Sequence, residues 1–373
     1  MRGQPPTVAG VLGTRDSHYG LLSSADHDRL FVLMHDLRFT VIRVGLCCTF
    51  LEEDIKFRTA TVRYVSALET AVQRQYLYGL ALHNARSLRQ AIDWCARNGV
   101  GAFRIPSGLL PLYTHPEVGY TLESLDDDGA IRAALAGAHE AAVEGDVRLS
   151  FHPDQFVVPG SVNEATVRNS LAELEYQAVV AELVGAEQLT IHGGGMQGGK
   201  AEALERLARG LERLSPRARS RIVLENDDRS YTVRDLLPIC TRLEIPLVYD
   251  VHHHRCNPDG YGVAEATALA TATWHGREPW MHLSSPANGW KSKDPRRHSD
   301  YIDPRDFPRE WLGRTLTVDI EAKAKELAVL RLERWLTRQQ PHGPAPTRAK
   351  RAAAARKKIT AASPEPPRPS RRG

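Results

Sequence analysis

Pro246-Leu247-Val248-Tyr249-Asp250-Val251-His252-His253-His254 begins as a short buried strand and ends in metal-ligand residue types where turn-formers would be expected. The pattern recurs on both sides of it. Ser150-Phe151-His152-Pro153-Asp154-Gln155-Phe156 and Thr190-Ile191-His192, the latter running into Gly193-Gly194-Gly195, lie upstream. Leu224-Glu225-Asn226-Asp227-Asp228 precedes the quoted stretch, and Met281-His282 and Asp319-Ile320-Glu321 follow it. Each run is apolar until its last residues. A lone histidine at a strand end is commonly a hydrogen-bonded structural residue. Six successive strands ending in His, Glu or Asp are not explained by packing, because each buried polar end costs desolvation unless it has a partner.

The apolar runs give eight strand candidates: Val41–Leu46, Ala102–Ile105, Val147–Phe151, Gln188–Ile191, Ile222–Leu224, Pro246–Tyr249, Trp280–Leu283 and Leu316–Ile320. Helical patterns alternate with them. Leu88, Ile92 and Cys95 share one helical face, as do Leu171, Leu174, Ala178 and Ala181, and Asn98-Gly99 supplies a C-terminal stop. Eight strands alternating with helices predict an α/β chain of the (β/α)₈ TIM-type barrel class, in which all strand C-termini open at one mouth. A doubly wound α/β sheet is the competing fold. No GxGxxG follows the first strand and no Walker A motif is present, so nothing points to a nucleotide cofactor.

With 373 residues, the chain suits a barrel of roughly 250 to 300 residues plus two extensions. We expect an N-terminal extension over 1–40, a barrel domain over 41–338, and a disordered basic tail over 339–373. From Thr347 to Gly373 there are nine Lys or Arg against one Glu, a local charge of +8, so the remainder carries −4 although the whole chain is +4. The tail either attracts DNA phosphates without sequence preference or merely solubilises the chain. No apolar run is long enough to span a membrane, and Met1–Gly10 holds no apolar signal core. Cys47, Cys48, Cys95, Cys240 and Cys256 show no CxxC spacing, which predicts a reduced, cytoplasmic protein.

Imidazole and carboxylate together suit zinc, manganese or iron. The ends offer His152, His192, Glu225, Asp250, His253, His282 and Glu321. The run Arg297-His298-Ser299-Asp300-Tyr301 adds His298 and Asp300. Nine candidates exceed what one ion takes and suffice for two or three ions sharing a carboxylate. Clustered ions of that kind favour in-line displacement at a phosphodiester.

In order, the runs FHPDQF, IHGGG, LENDD, YDVHHHRCNP, HLSSP and DIEAKAKE resemble those of the UV damage endonuclease family, over about Val41 to Lys325. Phe103-Arg104-Ile105-Pro106 with His115-Pro116 also fits. The resemblance implies a barrel related in architecture to apurinic endonuclease IV, acting on damaged double-stranded DNA with manganese. The ligand types alone admit zinc equally. It further implies that His152, His192 and Glu225 hold one ion, that Glu225, Asp250, His282 and Glu321 hold a second, and that His253, His298 and Asp300 hold a third.

Gln155-Phe156 would then wedge into the duplex at the lesion; otherwise Phe156 is an ordinary loop aromatic. Lys323 either meets a phosphate as a catalytic cation or is a solvated helix charge. Asn226 either orients Glu225 or caps the following turn. Arg297, with Arg255, Lys291, Lys293 and Arg296, would grip the DNA backbone. Three positions depart from the family pattern. Leu46 replaces an expected Tyr, Phe50 an expected Asn, and Trp280 an expected Lys.

The reaction so implied is hydrolysis 5′ of a UV photoproduct, leaving a 3′-hydroxyl and a 5′-phosphate. The alternatives are an abasic-site endonuclease of the endonuclease IV type, a metal-dependent sugar isomerase, and a non-catalytic DNA-binding module. No protein partner is legible.

Overall fold

The computed structural model describes residues 42–339. The expected extension over 1–40 lies outside them, as do Val41 and the basic tail from residue 340 onward. Among the described residues, eight parallel strands close a barrel in chain order. They are β1 Ile42–Cys47, β2 Ala102–Ile105, β3 Arg148–Phe151, β4 Gln188–His192, β5 Ile222–Glu225, β6 Leu247–Asp250, β7 Trp280–Leu283 and β8 Leu316–Ile320. No described helix is long and apolar enough to cross a membrane.

The strands differ from expectation at their ends, for identifiable reasons. Pro246 has no N–H, so the β6 ladder begins one residue later, although the Pro246 carbonyl still accepts from Leu224 N at 3.0 Å. β4, β5 and β6 extend into the polar residues His192, Glu225 and Asp250 that were expected just beyond them. His192 pairs with Glu225, Asp250 with His282, and His282 with Asp319. In a parallel sheet, register partners point to the same face. The ladder therefore brings these ligand-type side chains together at one level of the barrel.

Alternation explains why such strands read as nearly continuous apolar runs. Ile222, Leu224, Leu247 and Tyr249 face outward and join the main core with helix residues such as Leu88, Ile92, Leu174 and Ala178. Val223, Val248, Ala102 and Trp280 form a second, smaller cluster. Each fully buried aliphatic side chain contributes about 1.5–3 kcal/mol of transfer free energy. The helix Thr70–Arg97 ends as predicted. The backbone N–H of Asn98 donates to the Trp94 carbonyl, and Gly99 takes φ +74°, which a non-glycine residue adopts at a cost.

The departures from the family pattern sit in the core. Leu46 is fully buried there, and Phe50 packs edge-on against Trp94 at 5.1 Å and stacks on Phe103 at 6.1 Å. Trp280 is also fully buried, with the Arg148 guanidinium 4.2 Å from its ring centroid.

The loop after β1 is held from below by a buried carboxylate. Glu326, near the start of the last helix Lys325–Gln339, is 2% exposed. It accepts from the backbone N–H groups of Leu51 (2.8 Å), Glu52 (2.7 Å) and Glu53 (3.3 Å). Hydrogen bonds to a charged acceptor are the stronger kind. We expect Glu326→Ala to destabilise the protein by roughly 2–4 kcal/mol, since it strands several donors at once. Urea denaturation measures this, and an unchanged midpoint would show that the loop is held by other contacts.

Candidate metal centre

Glu225 is the hub of the barrel mouth. Its carboxylate is fully buried and ringed by imidazoles. Oε2 lies 2.8 Å from His152 Nε2 and 3.8 Å from His192 Nε2. Oε1 lies 2.9 Å from His282 Nδ1 and 3.3 Å from His253 Nδ1. Each oxygen thus faces a different set of nitrogens. The ligand atoms of His152, His192 and Glu225 all lie within 4.8 Å of one another, and so do those of Glu225, Asp250, His282 and Glu321. Among the described residues these are the two groups with such spacing, and they share Glu225.

The backbone prepares the second group. Asn226 is buried; its amide donates to the Asp250 carbonyl (2.9 Å) and its Oδ1 accepts from Asp250 N (3.0 Å). It therefore clamps the ends of β5 and β6 together, and it does not cap the turn. Asp250 Oδ1 accepts from His253 N at 2.7 Å, capping the short helix Val251–Cys256. Asp250 Oδ2 is buried and has no hydrogen-bond partner.

The remaining expected residues are placed as follows. His253 Nδ1 contacts the Asn226 carbonyl at 3.0 Å, and its ring centroid is 6.4 Å from that of His298. His298 Nδ1 stands 3.7 Å from Glu321 Oε2. Asp300 is exposed, with its backbone carbonyl accepting from Ala324 N. His253, His298 and Asp300 do not form a third group of the same closeness. Gln155 is exposed, as is Phe156, at 75%. Lys323 is exposed at the wall of a cavity of about 630 Å³, together with Arg104, His152, His192, Glu321 and Lys325.

The basic loop divides. Pro286 and His298 form an antiparallel bridge, and Lys291, Lys293 and Arg297 lie between them in the chain, all three exposed. Arg255 instead donates to the Asp306 carbonyl at 2.8 Å, and Arg296 pairs with Asp294 at 2.7 Å. Those two are committed within the protein.

Two residues at the centre were given no role by the sequence. Arg104 donates to Asp319 Oδ2 (2.9 Å) and Glu321 Oε1 (2.7 Å), and its Nη2 meets His282 Nε2 at 2.9 Å. The available signal was a charged residue in the middle of a strand buried on both faces, as in Ala-Phe-Arg-Ile and Leu-Thr-Val-Asp-Ile. Such a residue demands a partner.

Burial alone would raise the pKa of Glu225, but His282, His192 and the hydrogen bonds from His152 and His253 hold it well below the usual carboxylate range. Burial works likewise against Glu321, and Arg104 and His282 outweigh it and keep that carboxyl ionised. At His192 burial prevails and lowers the pKa, so its ring stays neutral and has a lone pair to offer. Arg104 engages Asp319 and Glu321, whereas Glu225 and Asp250 are met by imidazoles. Burial opposes protonation of those rings, but Asp250 and Glu225 raise the pKa of His253 well above its ordinary value, and Glu225 raises that of His282. An excess of buried negative charge is costly, and divalent cations would balance it. The orphaned Asp250 Oδ2 agrees with a donor set built for metal.

Residues 42–342 match a family model described as UV-endonuclease UvdE. The chain is 30% identical over 301 residues to a UV DNA damage endonuclease of Nostoc sp., covering 78% of this chain and 89% of that protein. The crystal structure of SacUVDE superimposes with a TM-score of 0.72 at 27% identity, covering 80% of this chain and 99% of that one. The crystal structure of endonuclease IV from Thermus thermophilus gives a TM-score of 0.52 at 18% identity over 80% of this chain and all of that one, which shows a shared fold.

Proposed function

The chain belongs to the UV-endonuclease family, and from that premise we propose that it is a metal-dependent hydrolase that cuts the DNA phosphodiester immediately 5′ of a UV photoproduct, leaving a 3′-hydroxyl and a 5′-phosphate. The observation that carries this reading is Glu225, one fully buried carboxylate shared by two ligand clusters at the mouth of the barrel. His152, His192 and Glu225 would hold one divalent ion, and Glu225, Asp250, His282 and Glu321 a second. Manganese is the ion we propose, with zinc the alternative. His253 and His298 flank the pair, and a third ion shared with Asp300 would need these three side chains to draw together. When bound, the ions lower the pKa of a water and neutralise charge on the scissile phosphate.

The chain's own residues do the remaining work. Lys323 and Lys325 present ammonium groups at the cavity wall, where they attract and orient a phosphate. Lys291, Lys293 and Arg297 on the loop after β7 extend that positive field along the backbone. Phe156 projects from the loop after β3 beside Gln155, suited to fill a gap in a weakened stack while the amide pairs with an exposed base edge. Lesions that weaken stacking make such insertion cheaper.

The decisive experiment uses a 5′-labelled duplex with one defined photoproduct, incubated with Mn²⁺ or with chelator. A metal-dependent nick directly 5′ of the lesion is expected. A nick confined to an abasic-site duplex would assign the chain to abasic-site cleavage instead, and aldose-to-ketose conversion would assign it to isomerisation. Cation binding should also be visible without DNA. Mn²⁺ at about 100 times its Kd would stabilise the metal-free protein by about 2.7 kcal/mol, and a melting temperature unmoved by Mn²⁺ and by Zn²⁺ would contradict the donor set.

A further inference from the structure

Arg104 and Asp319 lie on strands either side of β1, and the glycine between them makes their contact possible. Gly45 is in register with both Asp319 on β8 and Ala102 on β2. A Cβ at Gly45 would overlap Asp319 Oδ1, so the absent side chain is the space that the carboxylate occupies. Across that gap Asp319 Oδ2 receives Arg104 Nε at 2.9 Å, with side-chain exposures of 8% for Arg104 and 1% for Asp319. Arg104 spends its other two arms on Glu321 and His282.

The fork constrains the His282 ring. A guanidinium has donors and no acceptor, so the 2.9 Å contact with Arg104 Nη2 requires a lone pair on His282 Nε2. The ring proton then sits on Nδ1, facing Glu225 Oε1 at 2.9 Å and Glu321 Oε1 at 3.5 Å. Nδ1 is also the nitrogen that points into the second cluster. To offer that nitrogen's lone pair to a cation, the neutral ring must carry its proton on Nε2. The carboxylate oxygen beside Nε2 is Asp319 Oδ2, at 3.8 Å. The exchange moves one proton from Nδ1 to Nε2 through solvent and leaves the ring's charge unchanged. It needs Arg104 Nη2 to turn away from Nε2, because two N–H groups cannot face each other at 2.9 Å.

We propose that Asp319 is the acceptor that turns His282 into a ligand, and that Arg104 is the arm that stations Asp319 and Glu321 for it. Both are positioning residues, not ligands. The proposal rests on the two-cluster reading above and deepens it. A buried ion pair that merely closes the barrel would have no effect on cation affinity. A partner that fixes a ligand histidine typically changes metal affinity by about 10- to 100-fold.

The test is calorimetric titration of the metal-free full chain with Mn²⁺, which needs no DNA and no catalysis. Asp319→Asn keeps the shape and removes the charge. It should weaken one class of Mn²⁺ sites by about 10- to 100-fold and leave the other class unchanged. Combined with His282→Gln it should add no further loss, because both changes remove the same ligand. With Zn²⁺ as a diamagnetic probe, the ¹⁵N resonances of His282 should report a proton on Nε2 in the parent protein and a mixture of tautomers in Asp319→Asn. If Asp319→Asn lowers the melting temperature substantially, Arg104→Lys serves instead. It keeps the positive charge, loses the fork, and should weaken the same class of sites. Parent-like affinity in both variants, or losses that add with His282→Gln, would overturn the proposal and leave the two-cluster reading intact. A parent protein that binds no Mn²⁺ would overturn both.

Discussion

Glu225→Gln should abolish nicking at a photoproduct, lowering the rate on the order of 10³-fold or more, the scale on which a pre-set electrostatic group at a reacting phosphate acts. The substitution preserves volume and removes one charge, yet it strikes both ligand groups because they share this carboxylate. It also leaves His152 and His282, at 2.8 and 2.9 Å, facing an amide where they now face an anion. Bound manganese, counted by elemental analysis after gel filtration, should fall with the activity. The metal-free variant should remain folded, since a buried carboxylate held by imidazoles contributes less net stability than its short contacts suggest. Full activity in Glu225→Gln would remove Glu225 from the centre of the mechanism, and with it the two-cluster reading.

Phe156→Ala should separate lesion handling from the metal chemistry. The ring is 75% exposed, so its removal costs the fold little. Stacking an aromatic side chain on a base is worth about 1–3 kcal/mol, which corresponds to about a 5- to 160-fold loss of kcat/KM on photoproduct duplexes. Mn²⁺ affinity and melting temperature should not move. Phe156→Tyr should restore most of the activity, because it keeps the π-face. Cleavage by Phe156→Ala at the parent rate would mean that the ring is a loop aromatic with no part in recognising damage. Against undamaged duplex the variant and the parent should be equally inactive, so the loss is confined to damaged DNA.

How far the site was legible depends on where each residue lies along its strand. His152, His192, Glu225, Asp250, His282 and Glu321 stand at or just past strand ends, where a polar residue interrupts an apolar run and is seen at once. Arg104 and Asp319 sit inside runs that read as strand core. Their meaning depends on alternation around the barrel, where every second side chain faces inward, and on Gly45 leaving room between them. His253, His298 and Asp300 show the opposite limit. The residue types suit a third ion, but the closeness of three loop side chains depends on how the loop after β7 folds back through the Pro286–His298 bridge. Likewise Arg255 counts as a free cation by composition, and in the fold it is spent on the Asp306 carbonyl.

By itself the sequence determined the class of fold, the order of the strands and the mouth at which the ligand residues gather. Those follow from local chemistry: the period of apolar residues, the turn-formers between runs, and the cost of ending a buried strand in an unpaired polar group. Only the tertiary structure decided which oxygen of Glu225 faces which imidazole, which carboxylates Arg104 engages, and which nitrogen of His282 points into the cluster. Arg104 and Asp319 are 215 residues apart in the chain and 2.9 Å apart in space. Closing the barrel in one particular register makes them neighbours, and register is a property of all eight strands together.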